Sequence, residues 1–206
     1  MKKVTALTAQ QKNKKRVNLY LDGEFFCSLD LFTVMSERLK VGDEVDEERL
    51  KEISENSEYA DALDKAVKYI SKAMHTKMQV IKYLKDKGFS GRTIAKVIDK
   101  MEEYGYVDDE AFAKAYYKEK SRLYGKRKIV YELKSKGVDE KITDKLFGDA
   151  YDEEDACRMV AEKYLKGKPL DYELKQKCYR YLISKGFDYD AAKRTLEQLE
   201  DESNNS

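Results

Sequence analysis

The sequence predicts a mainly α protein: three tandem three-helix repeats in an elongated curved array, preceded by a small N-terminal β-hairpin or sheet. Three observations lead there. Charged residues make up 39% of the 206 residues, with one proline and no tryptophan, a composition of residues that keep their rotamer freedom in helices. A glycine-centred motif recurs at a fixed spacing of 49 residues. Ahead of it, one stretch alternates apolar and polar residues around an Asp-Gly pair, the strongest short signal for a hairpin.

That hairpin is the first element. Residues Arg16 to Leu29, RVNLYLDGEFFCSL, turn at Asp22-Gly23. A two-residue loop would pair residues whose numbers sum to 45. A three-residue loop with Gly23 as a bulge gives a sum of 44 and sets Val17 and Leu19 beside Phe25 and Cys27. The second register is preferred. Val4 to Leu7 adds a third strand, and Lys12 to Arg16 a basic edge. Short helices are expected over Leu29 to Leu39 and Asp46 to Ile53, the latter with an acidic first turn that suits the helix dipole. The polar, acidic stretch Ser54 to Asp61 is expected to be a hinge.

The repeat follows. YLKDKGFSGRTIAKVIDKM from Tyr83, ELKSKGVDEKITDKLFGDA from Glu132 and YLISKGFDYDAAKRTLEQL from Tyr181 align without gaps. Leu84, Leu133 and Leu182 coincide, as do Lys87-Gly88, Lys136-Gly137 and Lys185-Gly186. Each window reads helix, glycine stop in the left-handed C′ position, helix. Asp139 and Asp188 stand where they cap the next helix, and Thr76 with Gln79 fits a capping box. A further helix precedes each window: Tyr59 to Ala73, Asp109 to Leu123 and Glu153 to Lys166. The expected division is 1–56 for the N-terminal hairpin and short helices, 57–107, 108–151 and 152–201 for the repeats, and 202–206 for a disordered tail. Units too small to bury their own faces stack on their neighbours.

Charge is segregated although the net charge is only +1. Residues 43 to 64 carry ten acids and two bases, and residues 1 to 16 carry six bases and no acid. Between Lys114 and Lys136 there are nine Lys or Arg against Glu119 and Glu132, with Tyr116, Tyr117, Tyr124 and Tyr131 interleaved. That pattern suits an anionic partner. Tyr116 follows the apolar register and is expected inside, whereas Tyr117 and Tyr124 are freer to face solvent. Gly125 to Lys128 offers backbone amides and three bases to an anion at a helix start.

Catalysis finds little support. His75 is the single histidine, and no Walker loop, GxSxG elbow or HExxH occurs. Asp108 with Asp109, and Asp152 with Glu153, Glu154 and Asp155, are read as helix caps in preference to metal ligands. No cofactor or metal is expected. Cys27, Cys157 and Cys178 are odd in number and widely spaced, which fits reduced thiols in a soluble cytoplasmic protein. No stretch approaches a membrane span.

Gly105-Tyr106-Val107-Asp108-Asp109, Phe112-Ala113, Tyr116, Gly125-Lys126 with Ile129, and Leu133-Lys134-Ser135-Lys136-Gly137-Val138 resemble the central signature of the RecX family. The resemblance spans about Ala60 to Leu199, and the hairpin is similar to that ahead of the repeats in some members. The first repeat departs from the pattern: His75-Thr76 and Gln79-Val80 stand where the family often has arginine then serine or threonine, and glutamate-leucine. The resemblance implies a monomeric, non-enzymatic modulator lodged in the groove of the RecA–DNA filament, touching recombinase and single- or double-stranded DNA. Such a modulator restrains filament growth, ATP hydrolysis, strand exchange and co-protease action in DNA repair and the SOS response. The contact residues expected on the central repeat are Lys118, Lys120, Arg122, Lys126, Arg127, Lys128, Lys134 and Lys136. A free-standing DNA- or RNA-binding helical-repeat protein is the alternative.

Overall fold

The computed structural model describes residues 1–11, 13–147, 153–166, 168 and 170–204. The elements, in chain order, are β1 (Lys2–Ala9), β2 (Arg16–Leu21), β3 (Glu24–Asp30), α1 (Leu31–Ser36), β4 (Glu44–Val45), α2 (Glu47–Ile70), α3 (Lys77–Asp86), α4 (Gly91–Glu103), α5 (Asp109–Lys120), α6 (Lys126–Ser135), α7 (Glu140–Leu146), α8 (Glu154–Leu165), α9 (Tyr172–Ser184) and α10 (Tyr189–Asn204). They fall into two compact units, one of residues 1–74 and 80–106, the other of residues 75–79 and 107–206.

In the first unit four strands form a sheet in the order β3-β2-β1-β4, so the expected third strand is present. The hairpin register differs from the preferred one. Leu21 pairs with Glu24 and Tyr20 with Phe25, a two-residue turn, and a bulge then shifts the pairing so that Leu19 faces Cys27 and Val17 faces Leu29. Asp22 and Gly23 both take positive φ, 49° and 92°, as a primed two-residue turn requires. β1 braces that turn: the Lys3 amide donates to the Asp22 carboxylate and the Gly23 amide to the Thr5 hydroxyl. Val17 and Leu19 still share the inner face with Leu29, packed on Val4, Leu21, Val34 and Leu50. Phe25 is left outside, edge-on to Tyr20.

The expected hinge is not one. Residues 54 to 61 lie inside α2, which runs unbroken through 24 residues. Their polarity serves docking. The Ser57 hydroxyl accepts the Asp30 amide, Asp61 pairs with Arg16 at 2.9 Å, and Glu55 pairs with Arg92 at 2.8 Å. Glu58 accepts the Ser90 amide at the start of α4. Lys12, at the end of the expected basic edge, lies outside the described residues.

The glycine stops are built as expected. Gly88, Gly137 and Gly186 have φ of 85°, 86° and 85°. After each, the next amide reaches back to the conserved-spacing leucine: Phe89 to Leu84, Val138 to Leu133, Phe187 to Leu182, the Schellman closure. All three leucines are fully buried, and Ile98, Phe147 and Leu196 close the same layer in their units. Thr76 and Gln79 form the capping box, and Asp139 and Asp188 cap α7 and α10. α10 continues to Asn204, so residues 202–204 of the expected tail are helical.

Candidate partner-binding surface

The central basic surface is set by how the second repeat joins the third, and that joint is a close backbone contact. Gly125 is the N-cap of α6. A Cβ there would lie 2.3 Å from the Gly186 carbonyl oxygen, so only glycine allows the approach. The Gly125 amide donates to the Lys185 carbonyl and the Arg127 amide to the Gly186 carbonyl. Between them, the Lys126 amide donates to Glu153 at 2.9 Å, and the other oxygen of the same carboxylate accepts the Asp188 amide at 2.5 Å. Glu153 is buried and ties two helix starts together. These amides are therefore taken by protein, and the expected anion site at Gly125 to Lys128 is not formed.

A parallel joint precedes it. The Lys77 amide at the start of α3 donates to Asp109, and the Thr76 hydroxyl donates to the Lys136 carbonyl. Asp108 caps α5 through the Ala111 amide. The acids weighed as metal ligands thus receive backbone amides, apart from Glu154, which pairs with Arg194, Asp155, which lies in the first turn of α8, and Asp152, which lies outside the described residues. Among the described residues no group of three or more His, Cys, Asp or Glu stands where it can hold a metal ion.

With α6 anchored in this way, its cations diverge, because successive side chains turn by about 100° around a helix. Lys126 lies over the Phe147 ring at 5.5 Å, Arg127 over Tyr189 at 4.8 Å, and Lys128 over Tyr124 at 4.4 Å. The three consecutive bases do not share one face. Lys134 pairs with Glu140 at 2.5 Å. Lys118 and Arg122 stand exposed at the end of α5 and in the turn after it.

A different subset converges. Lys120 and Lys136 both lie over the Tyr116 ring, at 5.9 and 5.5 Å. Lys128 shares the Tyr124 ring with Lys185 of the third repeat, at 4.4 and 5.2 Å, and Lys185 also lies 5.1 Å from the Tyr181 ring centre. Tyr181 stacks in turn on Tyr164. The Tyr116 hydroxyl donates to Glu132, and burial followed by that bond pushes its pKa well above the usual phenol value. Tyr116, Tyr117 and Tyr124 are all half-buried against the core of Phe112, Ile129, Leu133 and Phe147, so the expectation that Tyr117 and Tyr124 face solvent freely is corrected. Among the four, Tyr131 is the exposed one. Lys185, one 49-residue repeat beyond Lys136, joins this cluster although it is not among the contact residues expected from the sequence.

Comparison with known proteins bears on the whole chain. The regulatory protein RecX N-terminal domain model matches residues 2–46, and the first, second and third RecX three-helix domain models match residues 62–101, 108–145 and 152–196. The regulatory protein RecX of Clostridium tetani is 37% identical, covering 96% of this chain and 94% of its own. That of Clostridium perfringens is 36% identical, covering 97% of both. A crystal structure of regulatory protein RecX superposes with a TM-score of 0.67 at 23% identity, covering 96% of this chain and 100% of that one. RecX from Lactobacillus salivarius does so with a TM-score of 0.62 at 22% identity, over 69% of this chain and 96% of its own. At those identities the two structures speak for the fold alone.

Proposed function

The chain belongs to the RecX family of regulatory proteins, and on that premise we propose that it binds the RecA–DNA filament and restrains recombinase, ATPase and co-protease activity in DNA repair and homologous recombination. It acts as a binding protein, without chemistry of its own, as a cytoplasmic monomer. The observation that carries this reading is the set of lysines fixed on tyrosine rings across the second and third repeats. Lysines fixed in place lose less freedom on binding than lysines that wave in solvent, and a row of them complements a polyanionic or acidic partner. Among the described residues no helix is long and apolar enough to cross a membrane.

A recombinase ATPase assay on single-stranded DNA tests the proposal. Added protein is expected to slow hydrolysis in a saturable way and to bind filaments much more tightly than bare DNA. No effect at saturating protein overturns the reading. Equal affinity for filament and naked DNA favours the free-standing nucleic-acid binder instead.

A further inference from the structure

We propose that the glycine stop of the first repeat, Lys87-Gly88 with Glu58 beside it, is a receptor for the first turn of a basic helix of another protein. The receptor lies in the first compact unit and takes protein, not nucleic acid.

The chain itself shows twice what such a stop receives. The Gly137 stop takes the start of α3. The Thr76 hydroxyl donates to the Lys136 carbonyl at 2.6 Å, the Lys77 amide donates to Asp109 at 2.8 Å, and the Met78 side chain lies 2.3 Å from where a Gly137 Cβ would be. The Gly186 stop takes the start of α6 in the same way. The Gly125 and Arg127 amides donate to the Lys185 and Gly186 carbonyls, the Lys126 amide donates to Glu153, and Lys128 fills the space of the missing side chain, 2.4 Å from an added Cβ. Each receptor is thus a set of stop carbonyls, a bare glycine face and a carboxylate, matched to the amides that a helix start leaves unpaired.

The first repeat has the same parts, unfilled. Gly88 is exposed, and an added Cβ there meets nothing within 4 Å. Among the described residues no donor reaches the Lys87 or Gly88 carbonyl. Glu58 accepts the Ser90 amide at 3.0 Å as Glu153 accepts that of Asp188, two 49-residue spacings on. Its other oxygen holds the Thr93 hydroxyl at 2.9 Å, and a carboxylate with about four lone-pair sites can accept an incoming amide as well.

A second copy of this chain has no helix start to spare. Those of α3 and α6 are engaged, and Lys175, the counterpart of Lys77 and Lys126 in the third repeat, lies inside α9 with its amide on the Asp171 carbonyl. The occupant is therefore a different protein. The two helix starts held inside the chain carry Lys77, and Lys126, Arg127 and Lys128, whereas residues 43 to 64, with Glu58 among them, carry ten acids and two bases. Opposite charge selects a basic first turn.

The test measures binding of a labelled, end-blocked peptide of residues 123–136, which contains the α6 start, to the full-length protein by fluorescence anisotropy. Saturable binding is expected, with amide chemical-shift changes centred on Gly88 and Ser90 in the isotope-labelled protein. Gly88→Asn keeps the left-handed backbone and covers the glycine face, so it is expected to abolish binding while circular dichroism and thermal unfolding stay as in the wild type. Glu58→Gln is expected to weaken binding about tenfold and decides the matter, with the shift map, if the asparagine variant is misfolded. No binding, binding that survives both substitutions, or shifts centred on Gly186 in place of Gly88 overturns the receptor. Equal affinity for a peptide with Lys126→Glu, Arg127→Glu and Lys128→Glu overturns the choice of a basic helix.

Discussion

Gly125 and Gly91 both stand at helix starts, yet their surroundings make opposite predictions. At Gly91 an added methyl meets nothing within 4 Å, so Gly91→Ala is expected to be neutral or to stabilise by about 0.4–1 kcal/mol through the unfolded chain. At Gly125 it meets the backbone of Gly186 and Phe187, and Gly125→Ala is expected to cost about 1–3 kcal/mol or more in urea unfolding. Glu153 is the polar counterpart of that contact. Glu153→Ala removes the shared acceptor of the Lys126 and Asp188 amides and is expected to cost about 1–3 kcal/mol in all. The thiols follow burial too. Desolvation pushes Cys178 up to about 11 and raises Cys157, and both are fully buried. Desolvation raises Cys27 as well, so access to the thiol, and not its charge, separates the three. Alkylation of the native protein followed by mass spectrometry is expected to modify half-buried Cys27 first and the other two only on unfolding.

Among the elements, α2 and the hairpin show where local pattern and tertiary contact part. The composition of residues 54 to 61 reads as a linker because acids and serines rarely pack, but here each finds a partner on β2, β3 or α4. A Glu-specific protease is expected to leave Glu52, Glu55 and Glu58 uncut under native conditions; early cleavage there would restore the hinge. The hairpin kept its inner face despite the wrong register because sums of 44 and 46 have the same parity. Helix caps were legible, since Asp139 and Asp108 bond amides two or three residues away. Asp139→Ala is expected to cost about 1 kcal/mol.

For the molecule as a whole, arrangement outweighs total charge. The net charge is +1, and the exposed acids Glu48 and Glu52 lie on α2, away in sequence from the lysines held on Tyr116 and Tyr124. Adding Glu48→Lys and Glu52→Lys to a Lys128→Gln, Lys185→Gln variant more than restores the charge, but it is not expected to restore the filament binding and ATPase inhibition that the two lysines supply; recovery would show that net charge alone decides. The sequence by itself determined the class, the three units, their glycine stops and caps and the N-terminal sheet, because each rests on periodicity or on bonds within a few residues. It also singled out a stretch of bases without saying which of them meet. Only the tertiary structure decided that Lys126, Arg127 and Lys128 part company, that Lys185 joins Lys128 on Tyr124, and that Gly125 and Glu153 seal a joint. Apart from the Lys128–Tyr124 pair, four residues apart, those facts depend on contacts between residues 21 to 62 positions apart, and no local pattern encodes such a distance.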